Sequence, residues 1–236
     1  MVDLKLHRRP ELVKRLILED YPNATFLHIG PVGCGKRLFL KHLLYVRLRE
    51  GFICTHVCVK HPPTAFIWMM KKRGMDVEPY IKNGQLVLVD YHSIKTGASL
   101  TQSVCEPGVL KLKSTDPLEF SVLLNELRAK PMEFIYVDSL SDLFINYGCK
   151  STIKLLEMMI PRIRETCVGA FVLDEGILSK RLENYLRSIF DGIVEYKIVD
   201  GPNGIERYIR VVHFDFAEVD TRWHKLIIEP CDLRIE

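Results

Sequence analysis

Short apolar runs alternate along this chain with stretches whose apolar residues recur at helical spacing, and that alternation sets the expected architecture. Residues 25–29, 53–59, 86–90, 134–138 and 170–173 are compact apolar blocks, the pattern of strands buried on both faces. Between them, residues 38–50, 64–73, 150–166 and 179–189 predict helices, closed in two cases by Gly51 and Gly74. A further helix opens at Asp116-Pro117-Leu118-Glu119, where a cap, a proline at the first position and an acidic first turn coincide. Residues 3–19, with Leu12 and Leu16 on one face, predict an amphipathic N-terminal helix that leads through Tyr21-Pro22-Asn23 into the first strand. Residues 91–115 are polar and irregular, and predict the one long loop. Three final strands, 192–199, 206–216 and 222–228, have no helices between them, and Asp200-Gly201-Pro202-Asn203-Gly204 turns the first into the second. Strands alternating with helices imply a parallel sheet with right-handed crossovers. The expectation is therefore an α/β three-layer sandwich, mostly parallel, with an antiparallel C-terminal edge. Without internal repeats or a linker, a single domain over residues 1–236 is expected.

Composition narrows the class more than the function. Of 236 residues, 47% are hydrophobic and 27% charged, which describes a globular protein with an adequate core. No apolar run approaches the roughly 20 residues that span a bilayer. Met1-Val2-Asp3-Leu4-Lys5 lacks the apolar core of a signal peptide, so a cytoplasmic location is expected and a membrane is not. The seven cysteines (Cys34, Cys54, Cys58, Cys105, Cys149, Cys167 and Cys231) are scattered without zinc-like spacing, and predict buried, reduced thiols. A formal net charge of +3 is too small to argue for nucleic acid. Arg8-Arg9 and Lys71-Lys72-Arg73 read as solvated faces. The loop 91–115 offers only Lys95, Lys111 and Lys113 against Glu106 and the adjacent Asp116, and neither the positive charge nor the stacking aromatics of a single-strand binder in quantity.

The chemistry concentrates at Gly30-Pro31-Val32-Gly33-Cys34-Gly35-Lys36-Arg37, which fits G-x-x-x-x-G-K-[ST] at every fixed position but the last. A strand precedes it and a helix follows, the setting in which successive backbone N–H groups and a helix N-terminus cradle a phosphate. Lys36 would reach the terminal phosphates. Position 37 is where a hydroxyl ordinarily holds Mg²⁺, and a guanidinium has no acceptor lone pair to do so. The loop points to ATP or ADP; Arg37 argues against Mg²⁺. The strand 134–138 ends in Asp138-Ser139, and in phosphate-loop proteins an aspartate so placed orients the metal. The plainer alternative is that Asp138 caps the following turn. Arg37 and Asp138 are expected to pair directly, the guanidinium standing where the metal would; the alternative turns Arg37 outward.

The order of these features resembles the KaiC branch of the RecA-like ATPases. Beyond the loop, the carriers are Gly74-Met75-Asp76 with Tyr80-Ile81, Leu86 to Asp90, Val137-Asp138-Ser139-Leu140 and Phe190-Asp191-Gly192-Ile193-Val194. The resemblance spans roughly residues 20–230 and lies nearest the small archaeal members with one such domain. It implies a RecA-like core and, in active relatives, ATP held between neighbouring subunits of a ring, hence a homo-oligomer (dimer or ring) or a protein partner. Three departures stand out. Arg37 replaces the metal-binding hydroxyl; Val59-Lys60-His61-Pro62-Pro63 stands where active relatives carry a carboxylate pair; His213-Phe214-Asp215 stands where they carry Lys-x-Arg. Metal ligand, base and charge clamp each contribute to phosphoryl transfer. Asp174-Glu175 follows the fifth strand; Glu175 is a weak candidate to orient water, against the reading that both acids solvate a loop and cap the next helix. His61 is a weaker one. Three readings stay open: a nucleotide-binding, hydrolysis-poor regulator or sensor, an interaction module without nucleotide, and an ATPase using other residues.

Overall fold

A computed structural model describes residues 23–95, 108–112, 132–202, 204–229 and 233–236. Its strands are β1 (Ala24–Gly30), β2 (Cys54–Cys58), β3 (Leu86–Asp90), β4 (Val109–Lys111), β5 (Phe134–Asp138), β6 (Val168–Asp174), β7 (Gly192–Gly201), β8 (Gly204–Phe214), β9 (His224–Ile228) and β10 (Leu233–Ile235). They form one mixed sheet in the order β10-β9-β8-β7-β1-β6-β5-β2-β3-β4. From β7 through β4 every neighbouring pair is parallel; β7, β8, β9 and β10 pair antiparallel. The expected parallel sheet with an antiparallel C-terminal edge is what forms.

The helices are α1 (Lys36–Arg49), α2 (Pro63–Lys72), α3 (Glu78–Lys82), α4 (His92–Lys95), α5 (Leu140–Thr166) and α6 (Lys180–Ile189). Alternation along each buried strand divides the core in two. Ala24, Phe26, Phe134, Tyr136, Ala170 and Val172 meet Phe39, Leu40, Leu43 and Leu44 of α1 on one face. Leu27, Ile29, Ile135, Val137, Phe171 and Leu173 meet Leu155, Leu156, Met159 and Ile163 of α5 on the other. Burying a side chain of this size stabilises by about 1.5–3 kcal/mol each. The same parity decides the chemistry, because Asp138 and Asp174 continue the series that faces α1.

Several boundaries differ from expectation. The region 91–115 is not wholly loop: α4 occupies its start and β4 pairs with β3 near its end. A three-residue strand is too short to show periodicity. α5 begins at Leu140, ten residues before the expected start, with the Ser139 hydroxyl accepting the Asp142 N–H at its N-terminus. Gly148 (φ 76°, ψ 168°) interrupts it, so the first turns do not join the later periodicity. β10 was not foreseen. The expected N-terminal helix 3–19 and the helix opening at Asp116 lie outside the described residues. Cys34, Cys54, Cys58 and Cys167 are buried free thiols as expected, but Cys149 is exposed; Cys105 and Cys231 are not among the described residues.

Candidate functional site

The loop between β1 and α1 turns on two left-handed glycines, Gly33 (φ 87°) and Gly35 (φ 94°). Gly35 has a second constraint, since a Cβ there would strike the Ile228 side chain of β9. Lys36 opens α1 and is only 2% exposed. Its ammonium donates to the carbonyls of Gly30 (2.8 Å) and Pro31 (2.9 Å), and lies 2.7 Å from Asp174 Oδ1. The lysine is thus tied beneath its own loop.

Arg37 makes the expected contact with Asp138, Nε donating to Oδ1 at 2.8 Å. The paired geometry is elsewhere: Nη1 and Nη2 donate to the two oxygens of Asp174 at 3.0 and 2.7 Å. Asp174 therefore does not solvate a loop. It ends β6, is 6% exposed and joins Lys36 to Arg37. The helix cap expected of it is supplied by Ser179, whose hydroxyl accepts the Leu182 N–H. Burial alone would raise the Asp174 carboxyl, but the hydrogen bonds and charges of Arg37 and Lys36 outweigh it and hold the group down at about 2. Burial likewise opposes the Arg37 charge and is outweighed by Asp174 and Asp138, so the guanidinium is held more firmly protonated than usual. Asp138 does not cap the turn; Ser139 does.

Two spaces adjoin this cluster. Beside Asp138, a cavity of about 10 Å³, room for about one water, is lined by Lys41, His56, Cys58 and His61 among others. Burial and the cationic neighbours Arg37 and Arg73 lower the Lys41 ammonium against the pull of Asp138, and burial followed by Lys41 lowers His61. Among the described residues, no acid but Asp138 lines it. On the open side of the loop lies a cavity of about 380 Å³, lined by Lys36, Arg37, Leu38, Arg73, Arg207 and Ile228 together with Gly33 and Gly35. Arg207 of β8 donates from Nε to the Gly33 carbonyl at 2.9 Å. Arg73 follows α2 directly.

Of the other candidates, Glu175 is exposed, with its backbone N–H donating to the Gly30 carbonyl at 3.0 Å. Val32 and Gly33 form the exposed crest of the loop, Pro31 is half-buried and Cys34 is buried. Burial raises the Cys34 thiol despite the nearby Lys36. His213 pairs with Asp215 at 2.7 Å, well exposed at the end of β8, so the late-strand position holds no cation clamp of the Lys-x-Arg kind. Arg73, Arg207 and Lys41 went unremarked as site residues. The run Lys71-Lys72-Arg73 has the pattern of a solvated face, and nothing in the sequence signals that β8 folds back along the loop.

Mg²⁺ does not fit these residues. Hard cations need oxygen ligands, and among the described residues the larger cavity is lined by four cationic side chains and no side-chain oxygen. Asp138 is hydrogen-bonded to Arg37, and Asp174 to both Arg37 and Lys36. Among the described residues no group of three or more His, Cys, Asp or Glu is placed to hold a metal.

A family model described as "ATPase: KaiC" matches residues 16–235. The chain belongs to this family. A UPF0273 protein of Pyrococcus horikoshii is 27% identical over 151 residues, covering 64% of this chain and 59% of that protein, so the match spans less than two thirds of its length. Among solved structures, an uncharacterized Pyrococcus horikoshii protein in complex with an unknown peptide superposes with a TM-score of 0.75 at 17% identity, over 95% of this chain and 96% of the other. A KaiC-like protein of the same organism gives 0.69 at 14%, over 92% and 91%. These likenesses establish a RecA-like fold of the KaiC branch. Among the described residues no helix is long and apolar enough to cross a membrane.

Proposed function

We propose that this KaiC-family chain binds ATP or ADP at the Gly30–Lys36 loop but hydrolyses it poorly, and acts as a regulator or sensor. The observation that carries this reading is Arg37 bonded at once to Asp138 and Asp174. A cavity of about 380 Å³ stands open beside the loop, within the size range of small-molecule sites. The two strand-end carboxylates that would orient a metal and a water are already held by a permanent cation. No acid follows β2, and the late-strand position carries His213 and Asp215 rather than a basic clamp. Loss of a charge clamp alone costs about 10³-fold or more in phosphoryl transfer. Calorimetric titration with ATP and ADP should give saturable binding that Lys36→Ala removes, while steady-state phosphate release stays at background. Turnover near one per second that Lys36→Ala abolishes would refute the hydrolysis-poor reading and favour an ATPase using Glu175 or a partner's acid.

One observation favours a second reading, an interaction module without nucleotide. The Lys36 ammonium is already engaged within its own loop and by Asp174, so a phosphate would have to compete with the Gly30 and Pro31 carbonyls and Asp174. That one solved neighbour was captured with an unknown peptide supports a protein partner in this fold. Absence of any ATP or ADP binding to the folded protein decides for this reading.

A further inference from the structure

The cavity beside the loop has an unbalanced charge. Lys36 and Arg37 are answered by Asp174 and Asp138 beneath them. Arg73 and Arg207 line the same cavity, and among the described residues neither is paired with a carboxylate. Two positive charges are therefore left facing the space where a ligand would sit. Arg207 is also held in place: its Nε bond to Gly33 leaves both terminal nitrogens for a ligand, in a fork that matches phosphate oxygens. Among the described residues, a divalent ion brought into this cavity would meet four cationic groups and no side-chain oxygen.

Resting on the nucleotide reading above, we infer that this cavity takes the polyphosphate of a nucleotide without a divalent cation, Arg73 and Arg207 supplying from the same chain the charge that a metal ordinarily brings. Arg37 makes the arrangement permanent by filling the place between the two aspartates. The ligand is then recognised mainly by its phosphates, and inorganic tripolyphosphate should compete with it.

Binding of ATP and ADP measured by calorimetry in excess EDTA and in excess Mg²⁺ tests this directly. The expected wild-type affinities agree within about threefold, and tripolyphosphate in EDTA displaces the nucleotide. Arg73→Gln with Arg207→Gln should weaken binding in EDTA by about tenfold or more, the scale of hydrogen bonds to charged groups. Arg207→Lys, which keeps the charge and loses the fork, should fall between. Arg37→Ser, which restores a hydroxyl and frees Asp138, should acquire a preference for Mg²⁺ of about tenfold or more. Circular dichroism confirms the fold of each variant, and the tripolyphosphate competition needs no variant at all. Wild-type binding that requires Mg²⁺, failure of tripolyphosphate to compete, or indifference to the double arginine change would overturn the inference and leave the nucleotide reading standing. Binding in neither EDTA nor Mg²⁺ would end both.

Discussion

Two arginine–carboxylate networks of this sheet differ in kind, and one of them lies where the chemistry of the molecule is set. At the carboxyl ends of β5 and β6, Arg37 joins Asp138 and Asp174, with side-chain exposures of 18%, 4% and 8%. On the antiparallel edge, Glu195 accepts from Arg187 and Arg210, each at 2.7 Å. The distances are alike and the surroundings are not. On the edge, Arg210 also lies 4.4 Å over the Trp223 ring and one side of the network meets water. Beneath the loop, each carboxylate has left water and depends on its partner. Distance alone therefore does not rank an ion pair; the solvent its members have given up does.

Breaking the buried cluster should have the largest effect. Arg37→Met leaves the buried Asp138 without its hydrogen-bonding cation, with Lys41 and two histidines across a small cavity. The unfolding free energy is expected to fall by about 3–5 kcal/mol, the cost of stranding a buried charge. Asp138→Asn placed on top of it should restore part of that loss, because the stranded charge is gone. Urea denaturation followed by circular dichroism measures both. A loss below about 1 kcal/mol for Arg37→Met would put this cluster in the class of surface pairs.

The parallel core is set apart from the edge by pH as well. His28 (3% exposed) contacts the Tyr196 hydroxyl at 2.8 Å, and His56 (3% exposed) donates Nδ1–H to the Tyr136 carbonyl at 3.1 Å. Burial pushes them down to about 3 and about 4, from an ordinary value of 6.5. Both are therefore neutral in the folded protein where an unfolded chain would bind protons. Their contribution is complete above about pH 6.5 and is lost as pH falls below it, since the unfolded state then binds more protons. Stability should fall as the pH drops below 6.5, with a slope approaching two protons near pH 5, roughly 2–3 kcal/mol per pH unit. His56→Gln should roughly halve the slope. A stability that stays flat between pH 6.5 and 5 would contradict the neutral burial of both rings.

How much of this was legible beforehand follows the range of each interaction. The apolar blocks, Gly33, Gly35 and Asp138 could be read because strand burial, loop geometry and a strand-end acid are local. Arg37 drew notice because it breaks a motif, and its contact with Asp138 followed from what that motif normally holds there. Asp174 was misjudged for the opposite reason. It lies 137 residues from Arg37, and only the sheet order, which places β6 between β1 and β5, brings it under the loop. Strand parity held the clue: in register with Gly30, it continues the series Val168, Ala170, Val172 that faces α1. Arg207 was harder still, since the return of β8 along the loop depends on how the antiparallel edge twists. Gly148 hid the start of α5, because a helix broken at one residue shows two unrelated periodicities.

The smallest expected effect belongs to the edge. Burial would raise the Glu195 carboxyl, but the hydrogen bonds of Arg210 and Arg187 outweigh it and lower the group. Its 19% exposure, and the 32% and 25% of its two partners, leave the network open to water and ions. Glu195→Gln keeps the shape and an acceptor oxygen, and should cost about 1 kcal/mol or less, the range of exposed pairs. Salt separates this region from the buried one. Near 1 M, where the screening length is about 3 Å, the cost of Glu195→Gln should disappear while that of Arg37→Met largely persists. A salt-resistant loss above about 3 kcal/mol for Glu195→Gln would mean that the edge network is as desolvated as the cluster under the loop, and the contrast between the two regions would fail.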